Sequence, residues 1–385
     1  MQSAVLQAPR VRIGPLELET PVVLAPMAGV TNAPFRTLCR RYGAGLYVSE
    51  MVMARAVIGG GARTMRMISF APGETPRSIQ LYGTEPVSLA AAVRYLIAEV
   101  GVDHIDMNFG CPAPKVTRNG GGSAVPLKRN LLRSIVRAAV RAAEAESGGR
   151  VPVTIKFRKG LNDDLLTYLD AGRIGEEEGV AAVALHARTA QQLYSGSADW
   201  AAITALKEHV TTIPVFGNGD IWEATDAFKM MEETGCDGVV VGRGCLGKPW
   251  LFRDLTAVFT GQPVPDPPIL GEVLATMREH AQMLFEYYEG IRGIRDFRKH
   301  ANWYVTGYPV GPEMRRRLGM VDSLDELDGL IGEMDHALEL VPGGQRIARG
   351  HTNGPRPVSL PHGYLDNLDD DTPPSAEEES MANGG

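Results

Sequence analysis

The stretch from His104 to Leu127, HIDMNFGCPAPKVTRNGGGSAVPL, sets a cysteine where a reactive group could be presented. His104 to Phe109 alternate polar and apolar, the period of a strand, and Gly110 and Pro112 stop it at once. Cys111 then sits at the strand's C-terminal tip, with Asn108 three residues before it and Gly120, Gly121 and Gly122 in the loop after it. Such a loop can move or approach a ligand closely. The cysteine either packs beside a tight turn or serves as an acid, since a thiol with a pKa of about 8.5 is mostly protonated at neutral pH.

Other strand-like stretches carry charged residues two apart, hence on one face. Lys156 and Arg158 form one pair, His186 and Arg188 another. A lysine in an otherwise apolar strand is costly unless something meets its charge, either a core carboxylate or negative charge on a cofactor ring. His186 is a hydrogen-bonded core histidine or, beside Arg188, a ligand contact, with Arg188 reaching substrate. Gln80 can bond a heterocycle edge. Asn218-Gly219-Asp220 and Gly242-Arg243-Gly244 end the last two strand patterns, the place where glycine lets backbone N–H groups reach a phosphate.

Positioning these groups takes a repeating frame. Strand patterns at 22–26, 45–50, 78–83, 104–109, 153–158, 182–187, 214–219 and 238–243 alternate with helical ones. Asn32 and Pro34 open one helix; others end at Gly101, Gly179 and Gly235. A hairpin-like lead precedes them. The alternation predicts an α/β fold, a (β/α)8 TIM barrel over residues 1–262, with its site at the C-terminal strand ends. A doubly wound open sheet is the rival, but it usually starts with GxGxxG, and here the first strand ends in Pro26-Met27-Ala28. A Pro-rich linker then opens a small all-helical C-terminal domain, 263–344, with helices expected over 269–289, 294–305 and 323–340. Ser323 and Glu326 read as a capping box starting the last. Residues 345–385 are polar, Pro-rich and acidic, so a disordered, dispensable tail is expected.

Composition narrows the class. The chain has 385 residues, 44% hydrophobic and 22% charged, values of an ordinary globular protein. No apolar run approaches the roughly 18 residues of a membrane span, and the N-terminal stretch lacks a signal-peptide pattern. Cys39, Cys111, Cys236 and Cys245 show no metal-ligand spacing. A reduced cytoplasmic protein without a metal site follows, with Cys39, Cys236 and Cys245 as packing. Of the net charge of −7, the tail from Arg346 carries −4, leaving a nearly neutral body that neither favours nor excludes RNA.

The stretches APMAGVTNAPFR (25–36), SEM (49–51), QLYG (80–83), DMNFGCPAPKV (106–116), TIKFRKG (154–160), LHARTA (185–190), GNGDI (217–221) and GRGCLGKPW (242–250) occur in order. Through them the chain resembles the flavin-dependent tRNA-dihydrouridine synthases over about residues 12–340, most of all the bacterial B-type branch. The resemblance implies an FMN-binding barrel and a helical tRNA-binding domain that reduce uridine to 5,6-dihydrouridine with electrons from NADPH. It carries FMN contacts to Pro26, Met27, Ala28, Gln80, Lys156, His186, Asn218, Gly219, Asp220, Gly242 and Arg243. It makes Cys111 the catalytic acid, giving a proton to C5 as C6 receives hydride, and Asn108 the holder of the target uracil.

A tRNA partner needs a basic surface. Between Ile291 and Leu318 lie Arg292, Arg295, Arg298, Lys299, Arg315, Arg316 and Arg317 against Asp296 and Glu313, a balance of +5. Arg292, Arg295 and Lys299 share one helix face, which Trp303 extends. It is a solvated face or, beside a site that needs RNA, a phosphate-binding one through Arg295 and Lys299. Rival functions are an FMN barrel acting on a free small molecule, dihydroorotate dehydrogenase-like, and a non-catalytic RNA-binding flavoprotein. A monomer is expected.

Overall fold

The computed structural model describes residues 10–43, 45–350 and 354–374. An antiparallel hairpin, β1 (Val11–Ile13) and β2 (Leu16–Leu18), leads into eight parallel strands. They are β3 (Val22–Leu24), β4 (Leu46–Met53), β5 (Ser78–Tyr82), β6 (His104–Phe109), β7 (Val153–Arg158), β8 (Ala182–His186), β9 (Val215–Asn218) and β10 (Gly238–Val241). Each pairs with the next, and β10 pairs with β3, closing the barrel. The hairpin's Val11, Ile13 and Leu18 pack on Val23, Leu46, Val48, Phe216 and Val240, so apolar side chains stopper the end where the strands begin. Among the described residues no helix is long and apolar enough to cross a membrane.

Local chemistry fixes the surrounding helices. Asn32 Oδ1 accepts from the Phe35 N–H at 3.1 Å, capping Ala33–Arg41. The helix expected to end at Gly101 does so, its last turn 96–100 widened into a π turn. A buried ion pair stands inside this shell: Arg36 meets Glu74 at 2.5 Å with both side chains fully buried. The same guanidinium donates to the Thr31 and Ser69 carbonyls, tying down the loop that follows β3.

Beyond the barrel, helices Leu270–Tyr287, Ile291–Tyr304, Pro312–Leu318 and Leu324–Glu333 enclose a second core containing Met277, Leu284, Phe297, Tyr304 and Leu327, with Trp250 contributed by the barrel side. The last helix stops seven residues short of the expected Leu340. Past Glu333 the chain bends into a turn at residues 336–337, and the carbonyls of His336 and Leu338 accept from Gly271 and Leu270, two donors that the first of these helices leaves free at its start. The box at Ser323 is half built: Ser323 accepts from the Glu326 N–H, while Glu326 accepts from Asp322 instead.

The segment after Gly344 departs most from expectation. Arg349 is buried, donating to the carbonyls of Trp303, Thr306, Gln345 and Ile347. Residues 354–374 lie back across the barrel, with Tyr364 buried against Ala124, Leu127, Leu161 and Ala190. A sparse apolar set suffices because Tyr364, Val358 and Leu360 meet one patch. The expected tail residues 351–353 and 375–385 lie outside the described residues.

Arg36→Met should destabilise the protein by about 3–5 kcal/mol, because it leaves Glu74 charged in the interior. Chemical denaturation measures this; a loss below about 1 kcal/mol would mean that the carboxylate finds another partner or a proton.

Candidate active site

Strand register sets polar side chains in rows inside the barrel. Gln80 pairs with Asp106 and Asp106 with Thr154; one row higher Asn108 pairs with Lys156, and above that Arg158 with His186 and His186 with Asn218. The lower rows are wired together. Thr154 Oγ1 donates to Asp106 Oδ1 at 2.6 Å, and Gln80 Nε2 donates to Asp106 Oδ2 at 2.6 Å. Gln80 Oε1 accepts from Asn108 Nδ2 at 2.8 Å, and Asn108 Oδ1 accepts from the Cys111 N–H at 2.9 Å and the Gly110 N–H at 3.2 Å. Burial lifts Asp106 to about 6, opposed by its two donors and by Lys156. It is therefore ionised at neutral pH.

Above this wiring opens a cavity of about 640 Å³, within the range of small-ligand sites. Its wall includes Pro26, Met27 and Ala28, Gln80, Asn108 and Cys111. It also includes Lys156, His186, Arg188, Asn218, Gly219, Asp220, Gly242 and Arg243. Six cations line it, Lys156, Arg158, Arg188, Arg243, Lys299 and Arg356, against one carboxylate, Asp220. Lys156 Nζ donates to Asn218 Oδ1 at 3.0 Å, while Asn218 Nδ2 is anchored on the Val240 carbonyl. Burial, then Arg158, pulls the Lys156 ammonium down to about 8. His186 is held neutral, its pKa driven well down by burial and by the four cations Arg158, Lys156, Arg188 and Arg243.

Asp220 lines the cavity but commits both carboxylate oxygens to Arg188 Nη2 and one also to the Ala198 N–H, so it braces Arg188. Arg188 Nη1 is buried without a hydrogen-bond partner among the described residues, a donor prepared for something else. Gly219 has φ +135, and a Cβ there would meet Ala198 Cβ at 2.5 Å. Only glycine fits.

The sequence marks Arg158 only as the neighbour of Lys156 on one strand face, and it singles out none of Glu50, Tyr194 and Trp222. Arg158 donates to the Gly110, Thr189 and Leu193 carbonyls, so it fixes the turn before Cys111. The Arg243 guanidinium lies over the Tyr194 ring, 4.2 Å from its centre, and over the Trp222 ring, 5.3 Å from its centre. Glu50, raised by burial, accepts from the Gly29 N–H and holds the loop after β3. The signal for Glu50 was available, a lone acid in an apolar strand; Tyr194 sits in a loop with no periodicity to mark it.

The helical region completes the wall with Lys299 and Trp303. Its basic face is smaller than the local charge balance suggests. Arg298 binds Asp322 and the Val321 carbonyl, Arg315 the Val305 and Tyr308 carbonyls, and Arg316 and Arg317 pair with Glu313 and Glu333. Lys299 pairs with Asp296 at 2.6 Å, Arg295 is mostly exposed, 4.0 Å from Asp322, and Arg292 lies over the Tyr288 ring. Cys39, Cys236 and Cys245 are buried in the core, and no cluster among the described residues could hold a metal ion.

Burial raises the Cys111 thiol above its ordinary range, with the Ala113 N–H, Arg158 and Lys115 acting in the other direction. Site-resolved alkylation of Cys111 should therefore rise with pH through a midpoint above about 8.5, the value of a free thiol. A midpoint well below it would make the group a thiolate at neutral pH.

A family model described as dihydrouridine synthase (Dus) matches residues 23–338. A "probable tRNA-dihydrouridine synthase" of Mycobacterium tuberculosis (strain ATCC 25618 / H37Rv) is 54% identical over 99% of both chains. That of Mycobacterium leprae (strain TN) is 51% identical over 94% of this chain and 100% of its own. "tRNA-dihydrouridine synthase B" of Pseudomonas aeruginosa is 39% identical, covering 82% of this chain and 92% of its own. Among solved structures, histamine dehydrogenase from Rhizobium sp. 4-9 superposes with a TM-score of 0.53 at 12% identity, over 86% of this chain and 65% of that one, a likeness of fold. With a cationic barrel cavity facing a strand-tip cysteine, and with this span of family sequence, the chain belongs to the dihydrouridine synthase family.

Proposed function

We propose that this chain is a tRNA-dihydrouridine synthase that uses FMN and NADPH to reduce uridines of tRNA to 5,6-dihydrouridine, with Cys111 as the proton donor. The observation that carries the reading is a cavity lined by six cations and a half-buried thiol. The relatives' names supply the RNA substrate.

The residues fit a flat, phosphate-bearing flavin. The unpartnered Arg188 Nη1 and the glycine at 219 suit a phosphate, with Arg243 beside them on the cavity wall. Lys156 suits negative charge on the ring, and Pro26, Met27 and Ala28 give an apolar wall. FMN, when bound, supplies hydride to C6 of uracil. Asn108 has one amide N–H on Gln80 and the other only on the weak Met51 sulfur acceptor, 3.6 Å away. That second N–H is the one a uracil carbonyl can take. Cys111 then delivers its proton to C5, and Arg158 and Lys115 stabilise the thiolate left behind.

Lys299 and Trp303 favour RNA over a free small molecule, since a barrel serving a small ligand needs no wall from the helical region. Arg295 stands on the same helix, open to a phosphate. A target uridine must leave its stack to enter, which costs least in an RNA loop.

The purified protein should bind about one FMN per chain, bleached anaerobically by NADPH. Cys111→Ala should keep both properties and slow uridine reduction by roughly 10²–10⁴, the usual worth of a general acid. Equal loss in both half-reactions would mean a structural cysteine; a chain that takes up no flavin would end the reading.

Lys156 also sets a pH dependence. Its charge is complete below about 8 and lost above, so FMN affinity should be flat between pH 7 and 8 and then fall, at most about tenfold per unit. Lys156→Met should bind FMN more weakly at pH 7 and remove that decline. An unchanged decline in the variant would assign it to another group.

A further inference from the structure

The three glycines behind Cys111 leave a loop that would be costly to hold in one conformation, yet it is built directly against the cysteine's backbone. The Ser123 N–H donates to the Cys111 carbonyl at 3.0 Å. A Cβ on Gly122, at φ +56, would fall 2.5 Å from that same oxygen. Whatever fixes residues 120–124 therefore fixes Cys111.

The segment 354–374 is seated against this loop. The Tyr364 hydroxyl donates to the carbonyls of Gly120 and Ala124, 3.3 Å from each, and the side chain is 5% exposed. Lys128 lies 4.6 Å from the centre of its ring and pairs with Asp370 at 2.6 Å, while Asn130 Nδ2 donates to the Asp369 carbonyl at 2.9 Å. The loop is thus held at both ends of its turn, with Pro374 closing over Gly120. This segment lies outside the span matched to the family, which ends at residue 338. The mycobacterial relative aligned over 99% of both chains extends through that region.

We propose that Tyr364 is a positioning residue of the active site: the C-terminal segment is a clamp that orders the glycine loop and thereby aims the Cys111 thiol. The proposal rests on the function given above, in which Cys111 protonates uracil. It replaces the expectation of a dispensable tail.

The test compares the full flavin-loaded chain with Tyr364→Phe, Tyr364→Ala, Asp370→Asn and a chain ended after Pro357. Amide exchange at residues 120–124 and site-resolved alkylation of Cys111 should each speed up by about tenfold in Tyr364→Ala and the shortened chain, the order expected for losing one or two hydrogen bonds. Tyr364→Phe, which keeps the ring on Lys128, and Asp370→Asn, which keeps the hydroxyl, should change less and in the same direction. Single-turnover uridine reduction by the pre-reduced enzyme should slow in step with loop exchange, while flavin content, flavin reduction by NADPH and the melting temperature hold. Unchanged exchange and alkylation in the shortened chain would overturn the clamp, and so would a loosened loop with uridine reduced at the original rate. Failure of the function itself looks different: the unmodified chain would reduce no uridine, while the exchange and alkylation arms would still report on the clamp.

Discussion

The site depends on one buried carboxylate. Asp106, ionised, can only accept, so Thr154 and Gln80 must both present donors to it. That turns the Gln80 amide so that its oxygen faces Asn108, which in turn must give Gln80 an N–H and keep its own oxygen for Cys111. Every link has a direction, and the direction comes from a charge three side chains away. Each member of such a network is expensive to leave unpaired, so the barrel's polar core and the placement of its cysteine are one problem. Asp106→Asn is nearly isosteric, yet it would set an amide N–H toward one of two groups already acting as donors.

The same economy of partners runs through the cations. Arg158, Arg188 and Lys156 are costly in an interior. Arg158 and Lys156 are held by neutral acceptors, and Arg188 by the Ser195 and Gly196 carbonyls together with Asp220, the lone carboxylate on the wall. Backbone carbonyls satisfy donors without cancelling charge, so the cavity stays positive. His186, surrounded by that charge, stays neutral and can accept as well as donate. In the helical region Arg298, Arg316 and Arg317 instead meet acids.

The eight strands were legible within one or two residues except at the end of β4, because buried parallel strands are short apolar runs bounded by turn residues. The residues that line the cavity were legible too, since chemistry at strand tips repeats at a period of two. Asp106 was passed over because it reads as one more polar member of an alternating strand; its importance lies in neighbours 26 and 48 positions away. The basic stretch 291–318 looks more open in the sequence than it is for a similar reason, as Asp322 and Glu333, which pair with Arg298 and Arg317, lie beyond it. Tyr364 reads as a lone aromatic in a polar tail until the barrel brings Gly120 and Ala124 beneath it.

The hairpin β1–β2 bears on traffic as well as on packing. With Val11, Ile13 and Leu18 filling the barrel's lower end, the described residues close the cavity there, and Lys299, Trp303 and Arg356 line it from outside the barrel strands. Whatever enters must back out by the route it came. A dinucleotide reductant and an extruded RNA base would have to reach one and the same cavity, so in the proposed reaction the two visit by turns, and the chain must carry the electrons between one departure and the next arrival.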